Sequence, residues 1–378
     1  MTTNKCRVCG YEFFSDPLLR YEKMPKGAQY LPDATSLIED KGVDLEVFQC
    51  SGCGLVQLNN EPVPYYREVI RAAGISEEMT EFRRHQFNRF IQRYSLNGKK
   101  IIEIGCGRGE YLSIMGETGA DAYGLEHLSD SVRYCTEKGL NVNQGFIGTH
   151  QNNIAGAPFN AFFILNFLEH LPDPNSTLRG IYHNLTDGGM GIIEVPNFNM
   201  ILQKKLFSEF IGDHLFYFTK ETLSSTLECN GFEVIECNVV WHDYIISAVV
   251  RKRSHLDISD FYQHQEHIKN DIETYIQHFD KGMVAIWGAG HQALAILSML
   301  SLGETIKYVI DSAPFKQGKF TPATHIPIVA PDILNSDPVD AVIVMAASYS
   351  EEVARIIRQK YDQKIHVSIL RDYGLELI

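Results

Sequence analysis

The chain has 378 residues, with 34 Lys and Arg against 47 Asp and Glu, a formal net charge of −13, and 44% hydrophobic and 21% charged residues. That length suits two or three domains with cores of their own, and the composition excludes a disordered polymer. The acidic balance speaks against wrapping nucleic acid or lying on an anionic membrane, no apolar run is long enough to span a bilayer, and the first residues lack the apolar core of a signal peptide, so a cytoplasmic location is expected.

Residues 1–60 carry Cys6-x-x-Cys9 and Cys50-x-x-Cys53, followed by Gly10 and Gly54. In a reducing compartment, two such pairs read as a tetrahedral four-cysteine zinc site, because each projects two thiolates from one tight knuckle. An unmetallated or redox pair is the other reading. Cys106, Cys135, Cys229 and Cys237 fall within helix and strand patterns and read as reduced core or turn residues. A few short strands are expected around the metal, whose small core needs that staple.

Residues 61–95 open on the Pro62-Val-Pro-Tyr-Tyr66 turn and continue with helical spacing through Met79, Phe82, Phe87, Phe90 and Ile91. This helical linker is expected to cover the ligand site that follows. Tyr65 or Tyr66, the latter favoured, is a candidate to reach a second substrate, although a Pro-flanked aromatic pair is more often a packing anchor.

From 96 to 275, strands alternate with helices: Ile101 to Gly105, Ala122 to Leu125, Leu140 to Val142, Ala161 to Leu165 and Met190 to Val195. Phe232 to Val240 and Ile245 to Val250 then form an antiparallel edge hairpin. The pattern implies an α/β domain with a doubly wound, Rossmann-like sheet of seven strands, mixed in direction. Within it, Glu103-x-Gly105-x-Gly107-x-Gly109 joins a strand to a helix start, and Glu126 ends the next strand. Glycines let the backbone lie against a ligand, and Glu126 suits a ribose diol. The carboxylate of Glu103 would repel a pyrophosphate, so a cationic, phosphate-free cofactor, S-adenosylmethionine, fits better than a dinucleotide. Asn166 or Glu169, after the fourth strand, is expected at the methionine moiety, and Phe146 beside the adenine.

Residues 276–378 hold a second strand-turn-helix, Met283 to Ala293, with Gly288-x-Gly290-x-x-Ala293 and Asp311 at the end of the next strand. This is a Rossmann-like α/β domain and a passable NAD fingerprint.

Glu103 to Gly109, Glu126 and Leu168-Glu-His-Leu-Pro-Asp-Pro174 resemble motifs of class I S-adenosylmethionine-dependent methyltransferases. With the two cysteine pairs, Phe210-Ile-Gly-Asp-His214, Lys316-Gln-Gly-Lys319 and Thr324-His-Ile-Pro327, the chain resembles the three-domain, zinc-containing sugar C-methyltransferases. The resemblance implies methylation of carbon 3 of a nucleotide-linked 4-keto-deoxysugar, and a C-terminal domain that holds the sugar nucleotide without NAD. The partner is then a small molecule, and the chain a monomer or homodimer.

Methylating a carbon beside a ketone needs a base for the α proton and a group that steadies the enolate oxygen. His170, Asp213 and His214 are the candidate catalytic residues, since they follow strands at the carboxyl edge of the sheet. Two departures stand out. The family often shows Tyr-His-Glu-His where this chain has Ile211-Gly-Asp-His214, so Tyr217 is the substitute tyrosine, weighed against packing. The family's Gly-Gly-Ser/Glu-x-Arg hairpin is replaced by Val240-Trp-His-Asp-Tyr244, whose Trp241 and Tyr244 are candidates to line the acceptor pocket. O- or N-methylation would need no enolate stabiliser and is the alternative chemistry. A non-catalytic S-adenosylmethionine-binding module is the alternative of another class.

Overall fold

The computed structural model describes residues 3–29, 31–68, 75–149 and 153–378. They divide into two compact units, Met1–His255 and Leu256–Ile378. In the first, strands β1 (Leu19–Met24), β2 (Val43–Gln49) and β3 (Val56–Leu58) precede helix α1 (Glu77–Arg93). There follow β4 (Lys100–Ile104), α2 (Glu110–Glu117), β5 (Asp121–Glu126), α3 (Ser129–Glu137), β6 (Asn141–Gln144), β7 (Phe159–Leu165), α4 (Pro174–His183) and β8 (Leu185–Pro196). The unit ends with α5 (Phe198–Gln203), β9 (Phe216–Tyr217), α6 (Lys220–Cys229), β10 (Phe232–Val240) and β11 (Ile245–Lys252).

The central sheet has seven strands in the order β10-β11-β8-β7-β4-β5-β6. Six run in one direction, and β11 alone runs against them, between β8 and β10, as the expected hairpin requires. The mixed, Rossmann-like α/β core is therefore present. Its middle strand β7, Phe-Asn-Ala-Phe-Phe-Ile-Leu, is apolar almost throughout because parallel strands are covered on both faces. Phe162 packs on one face with Leu168, Leu178 and Phe232, and Phe163 on the other with Phe87, Phe90 and Ile101.

Helix α1 lies on that second face. Ser76 caps it by accepting from the Met79 amide. Arg83 is wholly buried and pairs with buried Glu194 of β8 at 2.5 Å. Gln86 donates to the same carboxylate and to Ser247 of β11. The residues of the 61–95 stretch that line the cofactor clefts are instead Arg67 and Glu68.

The N-terminal strands form their own sheet, β1-β2-β3-β9, whose last strand comes from the far side of the sequence. Val56 pairs with Tyr217 and Gln57 with Phe216. The cysteine module is thus hydrogen-bonded into the main unit.

The second unit contains α7 (Ser259–Ile276), β12 (Val284–Trp287), α8 (His291–Met299), β13 (Val309–Ile310), β14 (Ile328–Val329), α9 (Ile333–Ser336), β15 (Ala341–Val344), α10 (Ser350–Lys360), β16 (His366–Leu370) and β17 (Leu375–Leu377). Its sheet order, β14-β13-β12-β15-β16-β17, is Rossmann-like. Asp311 is occupied internally: it accepts from the Ala289 amide at 2.9 Å and from Lys316 Nζ at 2.8 Å. The carboxylate that an NAD ribose would need holds the glycine loop and a lysine.

Removing one partner of the buried pair strands a charge. Arg83→Met is expected to lower the stability of the first unit by about 3–5 kcal/mol, read from its urea-unfolding midpoint. The double change Arg83→Met with Glu194→Leu should recover most of that loss.

Candidate active site

The glycine loop between β4 and α2 takes its shape from positions that a side chain would spoil. Gly109 has φ +79°, and a Cβ there would come within 2.4 Å of Leu140 Cδ1. Gly107 has φ +57° and faces open space, and its amide donates to Glu126 Oε2 at 2.8 Å. Glu126 Oε1 accepts from the Leu128 amide at 2.8 Å. One carboxylate thus ties the loop to the end of β5 and still faces the cleft.

Two adjoining cavities meet at this loop. The larger, about 650 Å³, is bounded by Gly105, Gly107 and Glu126 on one side and by Asn166, Glu169, His170, Asp213 and His214 on the other. The smaller is lined by Leu125, His127, Phe146 and Thr177 beside Glu126 and is capped by Arg67. The Arg67 guanidinium lies 4.9 Å from the centre of the Phe146 ring, against which Tyr66 packs edge-on. A slot with an aromatic wall beside a carboxylate at a strand end suits adenine and ribose. Glu103, by contrast, is buried along β4 and is not among the residues lining either cavity.

On the acceptor side, a 3-10 turn at Leu168–His170 follows β7. Two hydrogen bonds join it to the segment before β9. The Leu215 amide donates to the Glu169 carbonyl, and His170 Nδ1 meets the Asp213 carbonyl, both at 2.8 Å. A carbonyl only accepts, so Nδ1 carries the proton and Nε2 keeps its lone pair. The His170 and His214 rings then meet edge-on with centroids 4.8 Å apart. Glu169 Oε1 lies 3.9 Å from His170 Nε2. Burial keeps both imidazoles from protonating: His170 falls below its usual range, and burial with neighbouring His170 brings His214 down to about 3. Burial pushes the Glu169 carboxyl up to about 8.

The other candidates separate. Asp213 turns away from His214, accepting from the Ala28 amide at 2.6 Å and the Tyr65 hydroxyl at 2.8 Å. Tyr217 lies inside the N-terminal sheet, its ring against Phe198 and Phe210 and its hydroxyl donating to the Glu209 carbonyl, so it is not brought into the cavity. In the hairpin, Trp241, His242 and Asp243 all have positive φ. The turn sends Trp241 onto Phe82 and His242 to Glu78, leaving Tyr244 to line the cleft. The sequence points to Tyr65, with Tyr66, as an acceptor contact and not as the partner of Asp213, and it does not single out Arg67, beside them, as the cap.

The four sulfurs of Cys6, Cys9, Cys50 and Cys53 lie within 4.8 Å of one another. The Cys6–Cys53 and Cys9–Cys50 separations are 3.7 and 3.4 Å. A tetrahedral ion with metal–sulfur bonds of about 2.3 Å sets its sulfurs roughly 3.8 Å apart. Gln57 Nε2 and the Val8 amide donate to Cys6 Sγ, and the Gly52 and Cys53 amides to Cys50 Sγ, contacts that favour thiolates. The cluster fits a metal.

Comparison with known proteins agrees with this geometry. Residues 79–237 match a methyltransferase domain family, and residues 253–367 match the C-methyltransferase C-terminal domain family. C-methyltransferase NovU of Streptomyces niveus is 23% identical over 93% of this chain and 91% of its own. The chain is a class I S-adenosylmethionine-dependent methyltransferase. Ubiquinone biosynthesis O-methyltransferase of Stutzerimonas stutzeri is 34% identical over 114 residues; the match takes in 29% of this methyltransferase and 49% of that protein, about half its length. A solved S-adenosylmethionine-dependent methyltransferase from Clostridium acetobutylicum aligns over 50% of the chain and 96% of its own, at 12% identity and a TM-score of 0.39. No described helix of this methyltransferase is long and apolar enough to cross a membrane.

Two substitutions separate the roles of the loop. Glu126→Gln is expected to weaken S-adenosylmethionine binding by roughly tenfold to a hundredfold, since a hydrogen bond to a charged group contributes about 1.5–3 kcal/mol, as calorimetry would measure. Gly107→Ala, whose methyl enters the cleft, should weaken binding more than it lowers the melting temperature, whereas Gly109→Ala, directed into Leu140, should lower the melting temperature.

Proposed function

We propose that this methyltransferase places a methyl group on a carbon next to the ketone of a nucleotide-linked sugar. The observation that carries the reading is the pair of unprotonated imidazoles, buried His170 and half-buried His214, across one cavity from the S-adenosylmethionine loop. The sulfonium is already activated, so the protein's task is to hold donor and acceptor at attack distance and to take a proton from carbon. One of the two imidazoles serves as that base. A protonated Glu169, whose carboxyl burial raises, is a donor for the enolate oxygen in place of the absent tyrosine. Likeness to NovU along both units supports carbon as the acceptor, and the second unit is read as the holder of the nucleotide. Asp213 serves as a clamp on the N-terminal loop. O-methylation is the second reading, favoured by the 114 residues shared with an O-methyltransferase.

Turnover with a panel of nucleotide-linked 4-keto sugars deuterated at the α carbon separates the two readings by mass spectrometry. Carbon methylation gives a methyl gain with deuterium loss, and methyl gain with deuterium retained would contradict it. His214→Ala is expected to lower kcat by about 10²–10⁴ with S-adenosylmethionine affinity unchanged; an unaltered kcat would remove His214 from the mechanism.

We further propose that zinc fills the four-cysteine cluster as a structural ion. Elemental analysis should find zinc in the purified chain, and Cys50→Ser should abolish it. The same change should lower methyl transfer, because Gln57 joins Cys6 to β3 and β3 is the partner of β9.

A further inference from the structure

We infer that Glu169, His170 and His214 hold a divalent cation on the floor of the larger cavity, with Asn166 presenting a further oxygen. One ligand atom from each of the three lies within 4.8 Å of the others. The inference rests on what these groups lack. Glu169 Oε2 and Asn166 Oδ1 are buried without a hydrogen-bond partner, and both residues face the cavity. His170 Nε2 has its lone pair free because Nδ1 donates to the Asp213 carbonyl. Nature fixes metal-binding imidazoles in this way, with the far nitrogen anchored on a carbonyl or carboxylate. Acceptor atoms therefore crowd one buried spot, and buried acceptors left without a donor or cation are costly.

The donor set selects the ion. Two imidazoles and a carboxylate suit Zn²⁺, Fe²⁺, Co²⁺ or Mn²⁺ better than Ca²⁺ or Mg²⁺, which take oxygen ligands, and three ligands leave positions open. For its catalytic role, the inference rests on the C-methylation reading. The open positions take the acceptor's carbonyl oxygen and a hydroxide. Hydroxide removes the α proton to become water, and the C–H electron pair moves into the enolate, whose oxygen stays on the ion. The enolate carbon then forms its bond to the methyl group as the methyl–sulfur bond breaks and its electrons return to sulfur. With the ion bound, the two histidines and an ionised Glu169 are ligands. The hydroxide then takes over the proton abstraction, and the ion the steadying of the enolate oxygen, that an imidazole and protonated Glu169 perform in the ion-free reading above.

The test is binding, read without turnover. The full chain is stripped with a mild chelator that leaves any cysteine-bound zinc in place, and is titrated with Mn²⁺ under electron paramagnetic resonance. One Mn²⁺ per chain is expected, with affinity reduced by about 10–100-fold in Glu169→Gln and in His214→Ala. Melting temperature and S-adenosylmethionine binding confirm that each variant is folded. Failure of the wild-type chain to bind Mn²⁺, or Co²⁺ in its place, would overturn the inference, as would affinity unchanged in both variants. If Mn²⁺ binds as expected but no keto sugar is methylated, the site stands and the C-methylation reading fails.

Discussion

The pairing of β3 with β9 is the constraint on which the rest of the structure depends. Only two residues of β9 take part, yet they set the position of everything before them. His214 lies two residues ahead of that strand, and the Leu215 and Asp213 backbones are bound to the turn that carries Glu169 and His170. From the same β3, the Gln57 side chain donates to Cys6 Sγ. A chain of hydrogen bonds thus runs from the cysteine knuckles through one short strand to the acceptor side of the cleft. A module that looks like an appendage in the sequence is tied to the His170 and His214 side of the cleft.

The cleft has two walls of different character. The cofactor wall is made of main chain, with the Gly107 amide and the Leu128 amide converging on Glu126 and the glycines leaving room for a ligand. The opposite wall is made of side chains in short supply of donors. Burial holds His170 and His214 neutral and raises the Glu169 carboxyl, so the imidazoles can accept a proton without first losing one, whereas a cation at Glu169 displaces its proton. The N-terminal segment completes the enclosure: Ala28 and Tyr65 hold Asp213, and Arg67 caps the smaller slot.

Local patterns made much of this legible in advance. The glycine loop, Glu126 and the edge hairpin are encoded within a few residues of themselves, by a strand ending in glycines or by alternating apolar positions around a turn. The cysteine knuckles are equally local. What escaped the sequence depends on distant pairing or on backbone angles. Tyr217 looked like a neighbour of His214, but strand geometry sends alternate residues to opposite faces, and pairing with Val56 places its ring in the N-terminal sheet. Trp241 looked like a pocket residue, but three successive positive φ angles turn it onto Phe82. Asp213 stood beside His214 as a catalytic candidate, and its carboxylate faces Tyr65 instead.

Methyl attachment to carbon is the central claim, and the product itself reports it most directly. Turnover with S-adenosylmethionine labelled with ¹³C in the methyl group and a uniformly ¹³C-labelled nucleotide-linked keto sugar leaves two labelled atoms in contact only if a carbon–carbon bond forms. A one-bond carbon–carbon coupling between the new methyl and the ring, seen by nuclear magnetic resonance, is the predicted result. A methyl resonance at the shift of an ether or amine, without that coupling, would contradict the account.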